Sequence, residues 1–353
     1  MQETSRKNII KCVVWDLDNT IWHGILSEHD DLKLRNGMEK ILKELDRRGI
    51  IHSIASKNSY EDAIKTLDLF KIKDYFLYPQ ISWENKSAAL TTIQKNLNIG
   101  YDAIAFIDDQ SFERDEVKFE HPDISCYDVD IIEDILSMEQ FKPKFITEES
   151  TQRRKMYLQD DLRNDEEKKI NNNNKFLDQL NMEFIISIAT IKDLQRVEEL
   201  TVRTNQLNAT GYTYSYEELE GFILSPRYKL FTAELIDKYG TYGKIGVMLV
   251  ECTGNVWTLK LLLMSCRVMS RGVGTVMLYY IINLAKENGK KMHAEFLSTD
   301  RNRVMYVTYK FAGFKEISSL ENGGSLLEHS LTDFYQYPEY IKVKTDAGGQ
   351  FVS

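Results

Sequence analysis

The sequence predicts an α/β protein of two domains: a doubly wound parallel sheet first, then an α+β domain with a mainly antiparallel sheet. Three observations lead there. A chain of 353 residues that is 42% hydrophobic exceeds what a single core usually serves. Residues 8–145 alternate short apolar runs with amphipathic segments, the pattern of buried parallel strands covered by helices. After a charged stretch, strand-like runs follow one another with few helices between them, as antiparallel sheets do.

Within 8–145, "IIKCVVWDL", "IIHSIAS" and "YDAIAFIDD" read as buried strands. The segments "GMEKILKELDRRG" and "NSYEDAIKTLDLF" place apolar residues at helical spacing, and Gly49 suits a helix C-terminus. A third helix is expected in "ENKSAALTTIQKNLNIG". Residues 146–182 are highly charged and poor in β-branched residues, which reads as a helical connector with a loop at Asn171 to Asn174. In the second domain, 183–340, strands are expected in "MEFIISIA", near 228–236, 244–252 and 255–264, and in "KMHAEFLS". Helices are expected in "TIKDLQRVEELTVRT" and after Gly274. No internal repeat is visible.

Bulk properties remove several function classes. The net charge of −9, with no Lys/Arg-rich tract, argues against a nucleic-acid partner. The four cysteines, Cys12, Cys126, Cys252 and Cys266, are scattered without a C-x-x-C pair, so neither a zinc site nor a disulfide framework is indicated. "MQETSRKNII" lacks an apolar signal core, and "VWTLKLLLMSCRVM" is interrupted by Lys260 and Arg267. The expectation is a cytoplasmic protein with no membrane partner.

The chemistry is concentrated at strand ends, where ligands bind in such sheets. In "DLDNT", Asp16 and Asp18 point the same way from an extended segment. Two carboxylates there repel unless a cation lies between them, and hard oxygen ligands favour Mg²⁺. One carboxylate beside the cation can attack phosphorus while the other moves a proton to the leaving oxygen. That reaction also needs a hydroxyl and an ammonium for the phosphoryl oxygens and a further carboxylate for the metal. Ser56, Lys86 and the pair Asp108/Asp109 follow in that order.

This ordered set resembles the haloacid dehalogenase-like (HAD) phosphotransferases. The resemblance implies Asp16 as nucleophile, Asp18 as general acid/base, Ser56 and Lys86 as phosphate holders, and Mg²⁺ on Asp16, Asp18 and Asp108, with Asp109 beside them. "WHGILSEHDDLKLRNG" is too short for a folded cap domain.

A second constellation lies in "LLLMSCRVMSRGVGTVML". Glycines at a strand-to-helix turn would let the backbone N–H groups of Arg271, Gly272, Val273 and Gly274 converge on an anion. Downstream, Asn302 precedes Tyr309 and "AGF", with Phe311 or Phe314 expected in the core. Together these resemble the GNAT acyltransferase fold, which implies a loop for the phosphates of coenzyme A or phosphopantetheine and an Asn and Tyr near the thiol. Met269 departs from the Arg or Gln that usually opens that loop.

The pairing of both halves, with "SKNS", "FIDDQSFERDEV", "TEESTQRRKMY", "LTVRTNQLNATGYTYS" and "MSCRVMSRGVG", resembles the FkbH-like proteins of polyketide biosynthesis, in HAD subfamily IIIC. The resemblance runs from about residue 10 to about 335. It implies a glyceryl transferase/phosphatase that takes 1,3-bisphosphoglycerate, removes phosphate, holds the glyceryl group as an enzyme thioester and passes it to the phosphopantetheine thiol of a holo acyl carrier protein. A thioester needs a cysteine, and Cys266, expected on the strand feeding the loop, is the candidate nucleophile. Lys57, Asn58 and Arg114, with Asn205 and Gln206, are candidate substrate contacts; Arg114 could instead orient Glu113. Two rival readings differ in kind. One is a Mg-dependent phosphatase fused to a conventional acyl-CoA transferase acting on a sugar-type metabolite. The other is a catalytically silent scaffold that docks carrier proteins.

Overall fold

The computed structural model describes residues 9–28, 30–170 and 173–345. Contacts divide the chain into two compact units, Met1–Leu158 and Gln159–Ser353.

In the first unit, β1 (Cys12–Trp15) is followed by a short hairpin, β2 (Trp22–His23) and β3 (Lys33–Leu34). Then α1 (Met38–Arg47), β4 (Ile51–Ser56), α2 (Tyr60–Leu69), β5 (Gln80–Ile81), α3 (Lys86–Leu97), β6 (Ile104–Ile107), α4 (Ser111–Glu120) and β7 (Ser125–Tyr127) alternate. The five-stranded sheet has the order β5-β4-β1-β6-β7, and each neighbouring pair is parallel. β1, β4 and β6 are buried at every position, as a sheet covered on both faces requires. One face packs under α1 with Trp15, Leu42, Ile54 and Ile107; the other packs under α3 with Val14, Leu90, Ile93 and Phe106. Helix α1 stops where Gly49 turns left-handed at φ 71°. Trp15 is aligned with both Ile54 and Ile107, so the three central strands end side by side. That register creates the site described below.

Three helices, α5 (Glu148–Thr151), α6 (Arg153–Lys169) and α7 (Asn173–Gln179), span the charged region, and α6 contains the division between the units. Of the loop expected at Asn171 to Asn174, Asn171 and Asn172 lie outside the described residues, and α7 begins at Asn173.

The second unit comprises β8 (Met182–Ile188), α8 (Leu194–Arg203), α9 (Tyr216–Leu224), β9 (Tyr228–Asp237), β10 (Gly240–Thr253), β11 (Val256–Met264), α10 (Val273–Glu287), β12 (Lys291–Phe296), α11 (Arg303–Phe311), β13 (Lys315–Ser319), β14 (Ser325–His329) and β15 (Ile341–Thr345). Its eight-stranded sheet has the order β13-β14-β12-β11-β10-β9-β8-β15. It is antiparallel except at β11–β12 and β8–β15. The largest core lies between this sheet and the apolar faces of α10 and α11. Phe314 is in that core, whereas Phe311 is 87% exposed on α11. Among the described residues, no helix is long and apolar enough to cross a membrane.

Candidate active site

Asp16 directly follows β1, Ser56 ends β4 and Asp108 directly follows β6, so the sheet order β4-β1-β6 brings the three together. Lys86, the first residue of α3, reaches them from the loop after β5. Its ammonium lies 2.9 Å from Asp16 Oδ1 and also contacts Asp108 Oδ2. The Ser56 hydroxyl bonds the Asp16 carboxylate. All four side chains are buried.

The electrostatics follow from that burial. Desolvation raises the Asp16 carboxyl to about 7 against the pull of Lys86, and Asp108 adds to the rise. Burial also raises Asp109, again with Asp108 contributing. For Lys86, desolvation opposes the charge, yet Asp16 and Asp108 outweigh it and hold the ammonium above its usual range. Asp16, Asp108 and Asp109 each bring one carboxylate oxygen within 4.8 Å of the others. Asp109 Oδ1 is buried without a hydrogen-bond partner. Three carboxylates against one ammonium leave an excess of two negative charges, which an oxygen-liking divalent cation would neutralise. The donor set therefore fits Mg²⁺.

The position of Asp18 corrects the expected ligand set. Its carboxylate is not one of the three that converge, and it already accepts three hydrogen bonds. Trp22 Nε1 (2.9 Å) and Leu26 N (3.1 Å) donate to Oδ1, and Asn58 Nδ2 (3.0 Å) donates to Oδ2. Asp109 stands in the cluster where Asp18 was expected. The cause is the turn after β1, which directs Asp18 toward the β2 hairpin. Arg35 braces that turn by donating from Nε to Thr20 O at 2.9 Å and from its guanidinium to Asn19 O.

The neighbouring candidates divide. Lys57 pairs with Glu113 at 2.9 Å, so Lys57 orients Glu113. Arg114 instead donates to Asp108 O at 2.7 Å and pairs with Asp128 at 2.8 Å, fixing the backbone beneath the cluster. Asn58 is 2% exposed and bonds Ser56 Oγ as well as Asp18. The sequence reading missed Trp22 and Arg35. A tryptophan four residues after Asp18 is a faint signal, and Arg35 has none, because its partners lie across a loop.

In the second unit, β11 and β12 pair only from Val256 to Leu259 and from Lys291 to Ala294. Beyond that, residues 207–209 lie between them. Ala209 N donates to Leu262 O (2.9 Å), Met264 N to Leu207 O (2.9 Å) and Leu297 N to Ala209 O (3.1 Å). Asn302 ties this segment in place: Nδ2 donates to Asn208 O and Leu297 O, both at 2.9 Å, and Oδ1 accepts from Thr299 N at 2.9 Å. With no exposed surface, Asn302 is a backbone brace here rather than the contact to a thiol that the sequence suggested. Tyr309 is equally buried, packed on Phe314, and burial raises its phenol. Thr204 is buried, while Asn205 and Gln206 are exposed just before the wedge, as Ser265 and Cys266 follow its partner strand.

Cys266 lies past the end of β11, in the single 3₁₀ turn Cys266–Val268, half-buried rather than on the strand. Of the expected anion-binding N–H groups, that of Arg271 is committed to Val268 O at 3.1 Å. The Arg271 guanidinium is buried against Glu167 (3.1 Å) and over the Phe176 ring. Gly272 precedes α10 at φ 73° with the Tyr340 hydroxyl against it. At Gly274 a Cβ would meet the Met264 methyl at 2.8 Å. The left-handed backbone at Gly272 thus calls for glycine, Gly274 packs against the flexible end of Met264, and Val273 begins the helix between them.

Residues 9–116 match the family model of haloacid dehalogenase-like hydrolases. The first unit is accordingly a HAD-like hydrolase domain. Among solved structures, the chain is similar to the N-terminal part of BF1531 from Bacteroides fragilis, which contains a phosphatase domain and was solved with Mg. Identity there is 28% and the TM-score 0.35, and the match covers 38% of this chain and 41% of that one. The chain is also similar to the ribosomal-protein-S18-alanine N-acetyltransferase of Escherichia coli (16% identity, 44% of this chain and 97% of that, TM-score 0.33). A PaiA N-acetyltransferase from Thermoplasma acidophilum, solved with coenzyme A, shows 18% identity over 41% of this chain and 98% of that, with a TM-score of 0.33. No curated protein matches the chain.

Proposed function

We propose that the protein is a bifunctional glyceryl transferase/phosphatase that acts on 1,3-bisphosphoglycerate and loads the phosphopantetheine thiol of a holo acyl carrier protein. The observation that carries the phosphatase half is the buried set of Asp16, Ser56, Lys86 and Asp108, joined by the half-buried Asp109, with Asp18 beside it. The transferase half rests on the resemblance of "MSCRV" and "RTNQLN" and on the half-buried thiol of Cys266 beside them in sequence and pairing.

In the first unit, an Asp16 oxygen attacks the phosphorus of the phosphate ester, and the bond from phosphorus to the C3 oxygen breaks. Asp18 gives that oxygen its proton. Water then cleaves the aspartyl-phosphate, and Asp18 takes the water's proton. Ser56 and Lys86 hold the phosphoryl oxygens through the transfer. Mg²⁺ held by Asp16, Asp108 and Asp109 would supply positive charge to those oxygens. In the second unit, the Cys266 thiolate attacks the C1 carbonyl, the acyl phosphate leaves as inorganic phosphate, and a thioester remains. The carrier thiol then displaces Cys266.

The test is intact-mass measurement of the enzyme with Mg²⁺ and 1,3-bisphosphoglycerate, followed by holo acyl carrier protein. A glyceryl adduct should appear, move to the carrier protein, and be absent in Cys266→Ala. An adduct that persists in Cys266→Ala overturns the thioester route, and phosphate-ester hydrolysis that survives Asp16→Asn overturns the phosphatase site. A conventional acyl-CoA transferase would keep its activity in Cys266→Ala.

A further inference from the structure

Asn58 stands two residues beyond β4 with almost no exposed surface, and its amide joins two parts of the phosphatase site. Nδ2 lies 3.0 Å from Asp18 Oδ2 and 3.2 Å from Ser56 Oγ. The amide orientation is fixed by charge: a flip would set Oδ1 against the Asp18 carboxylate. In the observed orientation Oδ1 is buried with no hydrogen-bond partner. A buried unpaired amide oxygen is unfavourable and is not expected without a reason elsewhere in the side chain. The reason on view is the clamp that Nδ2 makes.

Asp18 has only two carboxylate oxygens, and Oδ1 is already occupied by Trp22 and Leu26. Oδ2 is the one left with a lone pair for a proton in transit. Among the described residues its direction is set by Asn58 alone, and the same amide ties it to the hydroxyl of Ser56. We infer that Asn58 is a positioning residue for proton delivery: it holds Asp18 Oδ2 in register with the phosphate-holding hydroxyl, and makes no contact with substrate. This rests on the phosphatase reading above and adds a function for a residue that the sequence suggested as a substrate contact.

Proton delivery matters most when the leaving oxygen is poor. An alkyl phosphate such as 3-phosphoglycerate expels an alkoxide that needs its proton, whereas p-nitrophenyl phosphate expels a phenolate that does not. Misplacing Asp18 should therefore lower kcat/KM, which reports the step that expels the leaving oxygen and not the later hydrolysis common to both esters, by about 10–100-fold on the alkyl ester while changing it by less than about 3-fold on the aryl ester.

The experiment measures kcat and KM for both esters, with Mg²⁺, in the full-length wild type and in Asn58→Ala and Asn58→Asp; the latter keeps the shape and removes the donor. Trp22→Phe removes a donor to the other oxygen of Asp18 and should show the same selectivity, which keeps the idea testable if an Asn58 variant fails to fold. Asp18→Asn is the reference. If it shows the alkyl-selective loss and the Asn58 variants lose both esters equally, or neither, the inference is overturned while the phosphatase reading stands. If wild type hydrolyses neither ester, or Asp18→Asn shows no selectivity, the phosphatase reading fails and takes the inference with it.

Discussion

His52, the buried second residue of β4, shows how one residue of the first unit couples stability to pH. Trp15 Nε1 can only donate, and it lies 3.1 Å from His52 Nδ1, so Nδ1 is the bare acceptor. Nε2 then carries the hydrogen and donates to Leu42 O at 3.0 Å. The neutral ring is fully bonded, and burial lowers its pKa from 6.5 to about 4. An unfolded chain takes up this proton near pH 6.5 and the folded chain only near 4. Stability is therefore lost as pH falls through that window, at about 1.4 kcal/mol per pH unit. Asp16, raised to about 7, pulls the other way, since its contribution is lost as pH rises through its folded pKa. The informative quantity is the difference between wild type and His52→Gln, whose amide can accept from Trp15 and donate to Leu42. Denaturant titrations between pH 7 and pH 4 should show wild type losing about 3 kcal/mol relative to the variant. Parallel stability curves would refute the neutral buried ring.

At the scale of elements, the wedge between β11 and β12 depends on a single side chain. Asn302 serves four backbone groups, from Asn208, Ala209, Leu297 and Thr299, and it is wholly buried. Replacing it by Ala strips partners from buried carbonyls and an N–H that water does not reach. Asn302→Ala should destabilise the second unit by about 2–4 kcal/mol. Hydrogen exchange should accelerate first at the amides of Ala209, Met264 and Leu297, which form the wedge ladder. Unchanged exchange at those three amides would show that the wedge holds without its brace. The sequence motif "RTNQLN" marked this region, but the pairing of residues 207–209 with β11 was not legible, because a three-residue insertion leaves no periodicity.

For the molecule as a whole, ligand linkage gives a direct test of the metal site. A cation that binds the folded Asp16, Asp108 and Asp109 cluster and not the unfolded chain should stabilise the protein by about 2.7 kcal/mol at one hundred times its Kd. Thermal unfolding with increasing Mg²⁺ should move upward in wild type, and Asp108→Asn should abolish the shift. An equal shift in the variant would mean the cation binds elsewhere.

The sequence by itself determined the three central strands and three of the helices of the first unit, the separation of the chain into a parallel-sheet half and a mainly antiparallel half, and the carboxylates and serine at strand ends with a lysine at a helix start. These were legible because burial on two faces leaves continuous apolar runs, and because charges that end such runs have few structural explanations. Tertiary structure alone decided which carboxylates face one another. Asp18 is two residues from Asp16, yet the turn held by Arg35 sends it to Trp22 and Asn58, while Asp109 comes across from the neighbouring strand. It also decided that Asn302 and Tyr309 are enclosed and that Cys266 sits in a turn past its strand. Spacing along a chain sets which residues are available, but side-chain direction at a turn depends on hydrogen bonds from residues far away in sequence.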